Sequence, residues 1–220
     1  MPGLSCKGTP IIVSNTFIYL ASQSPRRQEL LKQIGVRFEM LLPQLGEDTE
    51  TIELPLPNEK ACDYVMRVTF AKSVGALERW KKSGLPWAPI LCADTTVSLP
   101  GSHDGEILGK PADALDAERI LQMLSGKTHE VLTALALTID PHKIPVSLLQ
   151  ISQVKFADLS QEQIDTYIAS GESFGKAGAY GIQGRAGAFI SSIQGSYSGI
   201  MGLPLYETVQ LLDRADLKRI

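Results

Sequence analysis

Apolar residues along this 220-residue chain alternate between short β-like runs and stripes at helical spacing, with polar turns between them. Residues 17–21 read as a short buried strand. Ser22-Gln23-Ser24-Pro25 then opens a helix, since serine can cap free backbone N–H groups and proline is tolerated in a first turn. Leu30, Leu31 and Ile34 form that helix's apolar stripe and Gly35 ends it. Residues 38–42 predict a second strand, and residues 43–57, acidic with three prolines, a long loop. A helix is expected from Asn58, with Ala61, Val65 and Val68 inward and Lys72 one turn further on the same side. It should break between residues 81 and 89.

Residues 90–93 form a short apolar run that leads directly into Asp94, Thr95 and Thr96. After a glycine-rich turn at 100–105, Ala117, Ile120, Leu121 and Leu124 mark a helix ending at Gly126. Residues 131–139 and 148–156 are β-rich, and the turn around Pro141 is too short for a helical crossover, so they should pair antiparallel. Ser160-Gln161-Glu162-Gln163 fits a capping box, with Leu159 before it as a staple residue. Nine of the 19 glycines fall in residues 171–202, together with Lys176, Gln183 and Arg185; a last helix runs from Leu203 through Leu212. The alternation predicts one α/β domain over residues 16–214, built on a mixed, partly antiparallel sheet with helices packed around it. The first dozen residues read as a loose leader.

Composition narrows the partners. A net charge of −3 without a basic stripe argues against a duplex nucleic-acid binder, while leaving room for one nucleotide. Three cysteines with no CxxC argue against a disulfide framework or a sulfur-rich zinc site. No apolar stretch is long enough for a membrane span and no secretory signal is visible, so the cytoplasm is the expected location.

Several familiar motifs fail. Gly126-Lys127-Thr128 ends like a phosphate-binding loop, but Leu121 stands where its first glycine belongs. His129-Glu130 has no second histidine, since Thr133 occupies that place, and Tyr197 replaces the serine of a nucleophile elbow in Gly195-Ser196-Tyr197-Ser198-Gly199. What remains is a dispersed polar set. Ser22, Ser24, Arg26 and Arg27 crowd a strand-to-helix turn, where free N–H groups and guanidinium pairs suit an anion, or simply cap a surface helix. Asp94 ends a strand, a usual place for a site, and can hold a divalent metal or take a proton from water. Glu47 is a second carboxylate or a solvated loop charge. Lys72 and Lys110 are point charges for phosphate or ordinary surface lysines. Thr95 can bond to a substrate or be a plain sheet residue, and the amide of Gln183 suits a base edge. Taken together, these groups suit attack on a nucleoside triphosphate with Mg²⁺ or Mn²⁺.

At these residues the chain resembles the Maf family of nucleoside triphosphate pyrophosphatases. The resemblance is carried by Ala21-Ser22-Gln23-Ser24-Pro25-Arg26-Arg27, Ala93-Asp94-Thr95, Gly109-Lys110-Pro111, Ser125-Gly126-Lys127-Thr128-His129, and the run from Lys176 to Gly184 with Gly202-Leu203-Pro204 after it. It implies a fold like the inosine-triphosphate pyrophosphatases, a homodimer, and Mg²⁺- or Mn²⁺-dependent hydrolysis of the α–β phosphoanhydride. By the same resemblance Asp94 is the catalytic carboxylate and metal ligand with Glu47 as its partner. Lys72 and Lys110 join them in catalysis. Ser22, Arg26, Arg27, Thr95, Lys176 and Gln183 bind substrate; Arg27, Thr95 and Gln183 match the dTTP/UTP branch. Hydrolysis of modified nucleotides and a nucleotide-binding role in septum formation are the alternatives it leaves. Two departures stand out: Gly175, where the family commonly has Asp, and a longer segment at 98–106.

Overall fold

The structure is a computed structural model that describes residues 16–44, 47, 51–99 and 105–217. The leader and the tip of the 98–106 segment therefore lie outside the described residues. The elements in order are β1 (Ile18–Leu20), α1 (Pro25–Gln33), β2 (Phe38–Met40), α2 (Ala61–Ser83), β3 (Ile90–Leu99), β4 (Glu106–Leu108), α3 (Ala114–Leu124), β5 (Thr128–Thr138), β6 (Val146–Phe156), α4 (Gln161–Ala169), β7 (Ile190–Gln194), α5 (Tyr197–Met201) and α6 (Leu205–Asp213). They build one α/β domain on a mixed sheet in the order β2-β1-β3-β5-β6-β7, with β4 paired to β3. β1 runs parallel to β2 and β3, and every other pairing is antiparallel.

Alternation along the strands assigns the two faces. Tyr19, Ile90, Cys92 and Ala136 meet Ala76 of α2, and Leu132 and Ala134 meet Val65 and Val68 further along the same helix. On the opposite face Ile18, Leu20, Leu91, Leu135 and Leu137 pack under α1 and α6 through Leu30, Leu31, Leu211 and Leu212. Val97, Val131, Val154 and Phe156 pack under α3 and α4 on that same face. Val65, Val68, Leu31 and Leu121 are fully buried, each worth about 1.5–3 kcal/mol by transfer of its apolar surface.

Several boundaries differ from the sequence expectation, most by one to three residues, as where β5 begins at Thr128 and β6 at Val146. The helix expected at Asn58 begins at Ala61, because Asn58 sits in a left-handed turn at φ 59°, a conformation asparagine tolerates and a helix cannot use. The strand expected over 90–93 continues to Leu99, its polar stretch held by β5 along one edge. β7 and α5 arise inside the glycine-rich stretch, where mixed polar residues gave no period. The capping box of α4 forms as expected: the Ser160 side chain accepts from Gln163 N–H, and the Gln163 side chain returns to Ser160 N–H.

Candidate active site

The sheet is incomplete at its centre. β5 covers β3 from Ile90 to Ser98 on one edge. On the other edge β1 reaches only Ile90 and Leu91, and β4 begins at Val97, so residues 92–96 have no strand partner there among the described residues. A cavity of about 720 Å³ opens beside this gap. Ser22, Arg26, Arg27, Glu47, Lys72, Asp94, Thr95, Lys110, Lys176 and Gln183 all line it. The ten residues named from the sequence thus share one wall system although they span more than 160 positions of chain.

Successive residues of β3 point to opposite faces, so Asp94 and Thr95 present two chemistries at the gap. Asp94 faces α2, where the stripe that buries Val65 and Val68 continues one turn further to Lys72. Lys72 Nζ donates to Asp94 Oδ1 at 2.5 Å and to Glu53 Oε1 at 2.7 Å, and Lys110 Nζ donates to Glu53 Oε2 at 2.7 Å. Burial alone would raise the Glu53 carboxyl; Lys72 and Lys110 outweigh it and hold the group below the ordinary carboxylate range. Two more turns along α2, Arg79 takes both oxygens of Glu47 at 2.5 and 2.9 Å and also donates to the Leu41 carbonyl. That paired contact drives the Glu47 carboxyl down to about 2.

Thr95 faces α1 and α5. Arg27 Nη2 donates to its hydroxyl at 3.3 Å, Nη1 to Ser22 Oγ at 2.9 Å and Nε to the Gly202 carbonyl at 2.8 Å. Arg26 Nε donates to the Met201 carbonyl. The two arginines thus clamp the start of α1 to the end of α5, with burial the main effect lowering the pKa of each.

The glycine-rich segment closes the third side. Gly178, at φ 70°, would bring a Cβ within 2.8 Å of Val97, and its N–H bonds to the Gly109 carbonyl, so the segment lies flush on β3 and the end of β4. This seats Lys176 and Gln183 at the cavity. Burial lowers the Lys176 ammonium, the nearby Arg26 charge adding to it, and its Nζ donates to the Glu172 carbonyl at 2.5 Å. Gly175 is left-handed at φ 70° and borders the same space. Tyr180 Oη lies 2.8 Å from Nε2 of the buried His129, which anchors the segment from below and places His129 off the cavity wall.

Glu53 and Arg79 were not among the residues singled out from the sequence. Glu53 shares its acidic loop with Glu47, and nothing in the spacing separates the two. Arg79 did carry a signal: with Lys72 and Ala76 it continues the inward stripe of α2, where a charged residue needs a partner. Among the described residues no three His, Cys, Asp or Glu side chains come together as a metal cage, so protein oxygens near Asp94 come from two carboxylates, Asp94 and Glu53. Two carboxylates share one lysine ammonium, a positive charge already held between them. Ions of the Mg²⁺ type commonly bind through one or two carboxylates with substrate phosphates completing the shell.

A family model described as Maf-like protein matches residues 17–215. A protein of Ralstonia nicotianae named dTTP/UTP pyrophosphatase is 56% identical over 206 residues, covering 94% of this chain and 97% of its own. One from Albidiferax ferrireducens with the same name is 56% identical, over 92% of this chain and 98% of its own. One from Burkholderia pseudomallei, again so named, is 54% identical over 92% and 95%.

Proposed function

The chain belongs to the Maf-like family, and on that premise we propose that it hydrolyses the α–β phosphoanhydride of dTTP and UTP, releasing the nucleoside monophosphate and pyrophosphate. The observation that carries the reading is the Asp94–Lys72–Glu53–Lys110 chain at the unpaired stretch of β3, inside a cavity that also holds Ser22, Arg26, Lys176 and Gln183.

In this reading water attacks the α-phosphorus, and the bond from that phosphorus to the α–β bridging oxygen breaks. Lys72 occupies Oδ1 of Asp94, which leaves Oδ2 to take the water's proton. Lys110, Lys176 and Arg26 are the cations that turn to the phosphate chain while Lys72 stays on Asp94, and Ser22 adds a hydroxyl donor at the start of α1. Asp94, and Glu53 through the oxygen that Lys110 would release, would hold a divalent cation, Mg²⁺ or Mn²⁺, which would supply positive charge to the phosphate oxygens. Glu53 stands nearer to Asp94 through their shared Lys72 and is the second carboxylate of this reading; Glu47, expected in that part from the sequence, also lines the cavity, paired with Arg79. Gln183 and Thr95 face the base.

The test is pyrophosphate release from dTTP and UTP by the wild type and Asp94→Asn, with Mg²⁺ and with Mn²⁺. The variant is expected to lose at least about 10²-fold in kcat, the scale of a lost general base. Unchanged turnover in Asp94→Asn would remove Asp94 from the chemistry.

A further inference from the structure

Thr133 lies fully buried on β5, directly across the ladder from Thr95. Its hydroxyl donates to the Gly199 carbonyl at 2.8 Å, and a carbonyl only accepts, so the single Thr133 proton is spent there. The 3.0 Å contact between the two threonine hydroxyls must then carry the Thr95 proton. On its other side Thr95 accepts from Arg27 Nη2, a group that only donates. The order of protons is therefore fixed from Arg27 through Thr95 and Thr133 to Gly199. Thr95, half-buried at the cavity, has one lone pair left and no proton to give.

We infer that Thr133 is a specificity-determining positioning residue: it locks Thr95 as a hydrogen-bond acceptor, and that acceptor reads the imide N3–H of uracil or thymine. The inference rests on the dTTP/UTP reading above. A lone pair repels phosphate oxygens and base carbonyls alike, so its partner on a nucleotide is a ribose hydroxyl or a base N–H. Uracil and thymine donate from N3. Cytosine presents an unprotonated nitrogen at that place, and two lone pairs would meet across the contact. UTP and CTP have the same ribose, so their ratio isolates the base.

The experiment measures kcat/KM for UTP and CTP in the wild type, Thr133→Val, Thr133→Ala and Thr133→Ser, with thermal melts to establish folding. Val and Ala remove the hydroxyl, which frees the Thr95 proton to turn toward the cavity. The preference for UTP over CTP is expected to fall about tenfold in both, mainly through KM for UTP, as befits one mismatched buried hydrogen bond. Ser retains the hydroxyl and should retain the preference. An unchanged ratio in the folded Val or Ala protein overturns the inference, as does an equal fall on both nucleotides. A wild type that releases no pyrophosphate from UTP overturns the dTTP/UTP reading itself, and this inference with it, before any variant is compared.

Discussion

Two acidic residues of one loop have separate fates because of which cation each meets. Glu53 meets Lys72 and Lys110 beside Asp94, and Glu47 meets Arg79 two turns further along α2, also at the cavity. Glu53→Gln should therefore lower pyrophosphate release by at least about a hundredfold with little effect on folding, whereas Glu47→Gln should act on stability. The Glu47 carboxyl titrates near 2 in the folded protein against an ordinary 4.5. The Arg79 pair thus contributes fully above about 4.5 and loses its contribution as pH falls toward 2. The melting temperatures of wild type and Glu47→Gln should differ most near neutrality and converge in that acid window. A gap that stays constant down to pH 2 would contradict the assignment. The choice between the two glutamates was not legible in the sequence, because both sit among prolines with no period to orient them. Asp94 was legible, since an apolar run that ends on a carboxylate points to a strand end or a site.

Among the elements, those with strict periods and local stop signals were readable: α1, α3, α4 and the β5–β6 hairpin. Ser160→Ala should cost about 1 kcal/mol through loss of the α4 cap and leave turnover intact, as chemical denaturation beside an activity assay would show. The segment over 171–202 was legible only as unusual, because its conformation is set by long-range fit. Gly178 illustrates this: its φ and its distance to Val97 are tertiary facts. Gly178→Ala combines a left-handed alanine with a clash, so a loss of at least about 1 kcal/mol is expected. Displacement of Lys176 and Gln183 should also raise KM for UTP. An Ala variant with wild-type stability and KM would show that the segment docks differently.

For the whole molecule, the gap in β3 is what turns a sheet into a site. Neither β1 nor β4 is long enough to close it, and the two faces of β3 then offer a charged half at Asp94 and a hydroxyl half at Thr95. Below it, His129 is buried and neutral, its ring pushed down to about 4 by burial. The unfolded chain binds that proton near pH 6.5, so stability is retained above about 6.5 and falls as pH drops toward 4, by up to about 3 kcal/mol. Denaturant midpoints at pH 7 and 4.5 should diverge in the wild type and lie closer together in His129→Gln. The proposed reaction is attack at the α-phosphorus by water that Asp94 deprotonates. Its most direct test is hydrolysis of dTTP in H₂¹⁸O, followed by mass spectrometry of both products, for wild type and Asp94→Asn. Attack at the α-phosphorus puts ¹⁸O in dTMP and leaves pyrophosphate unlabelled, and both products are expected to be lost in the variant. Label in pyrophosphate, or release of dTDP with orthophosphate, would contradict it.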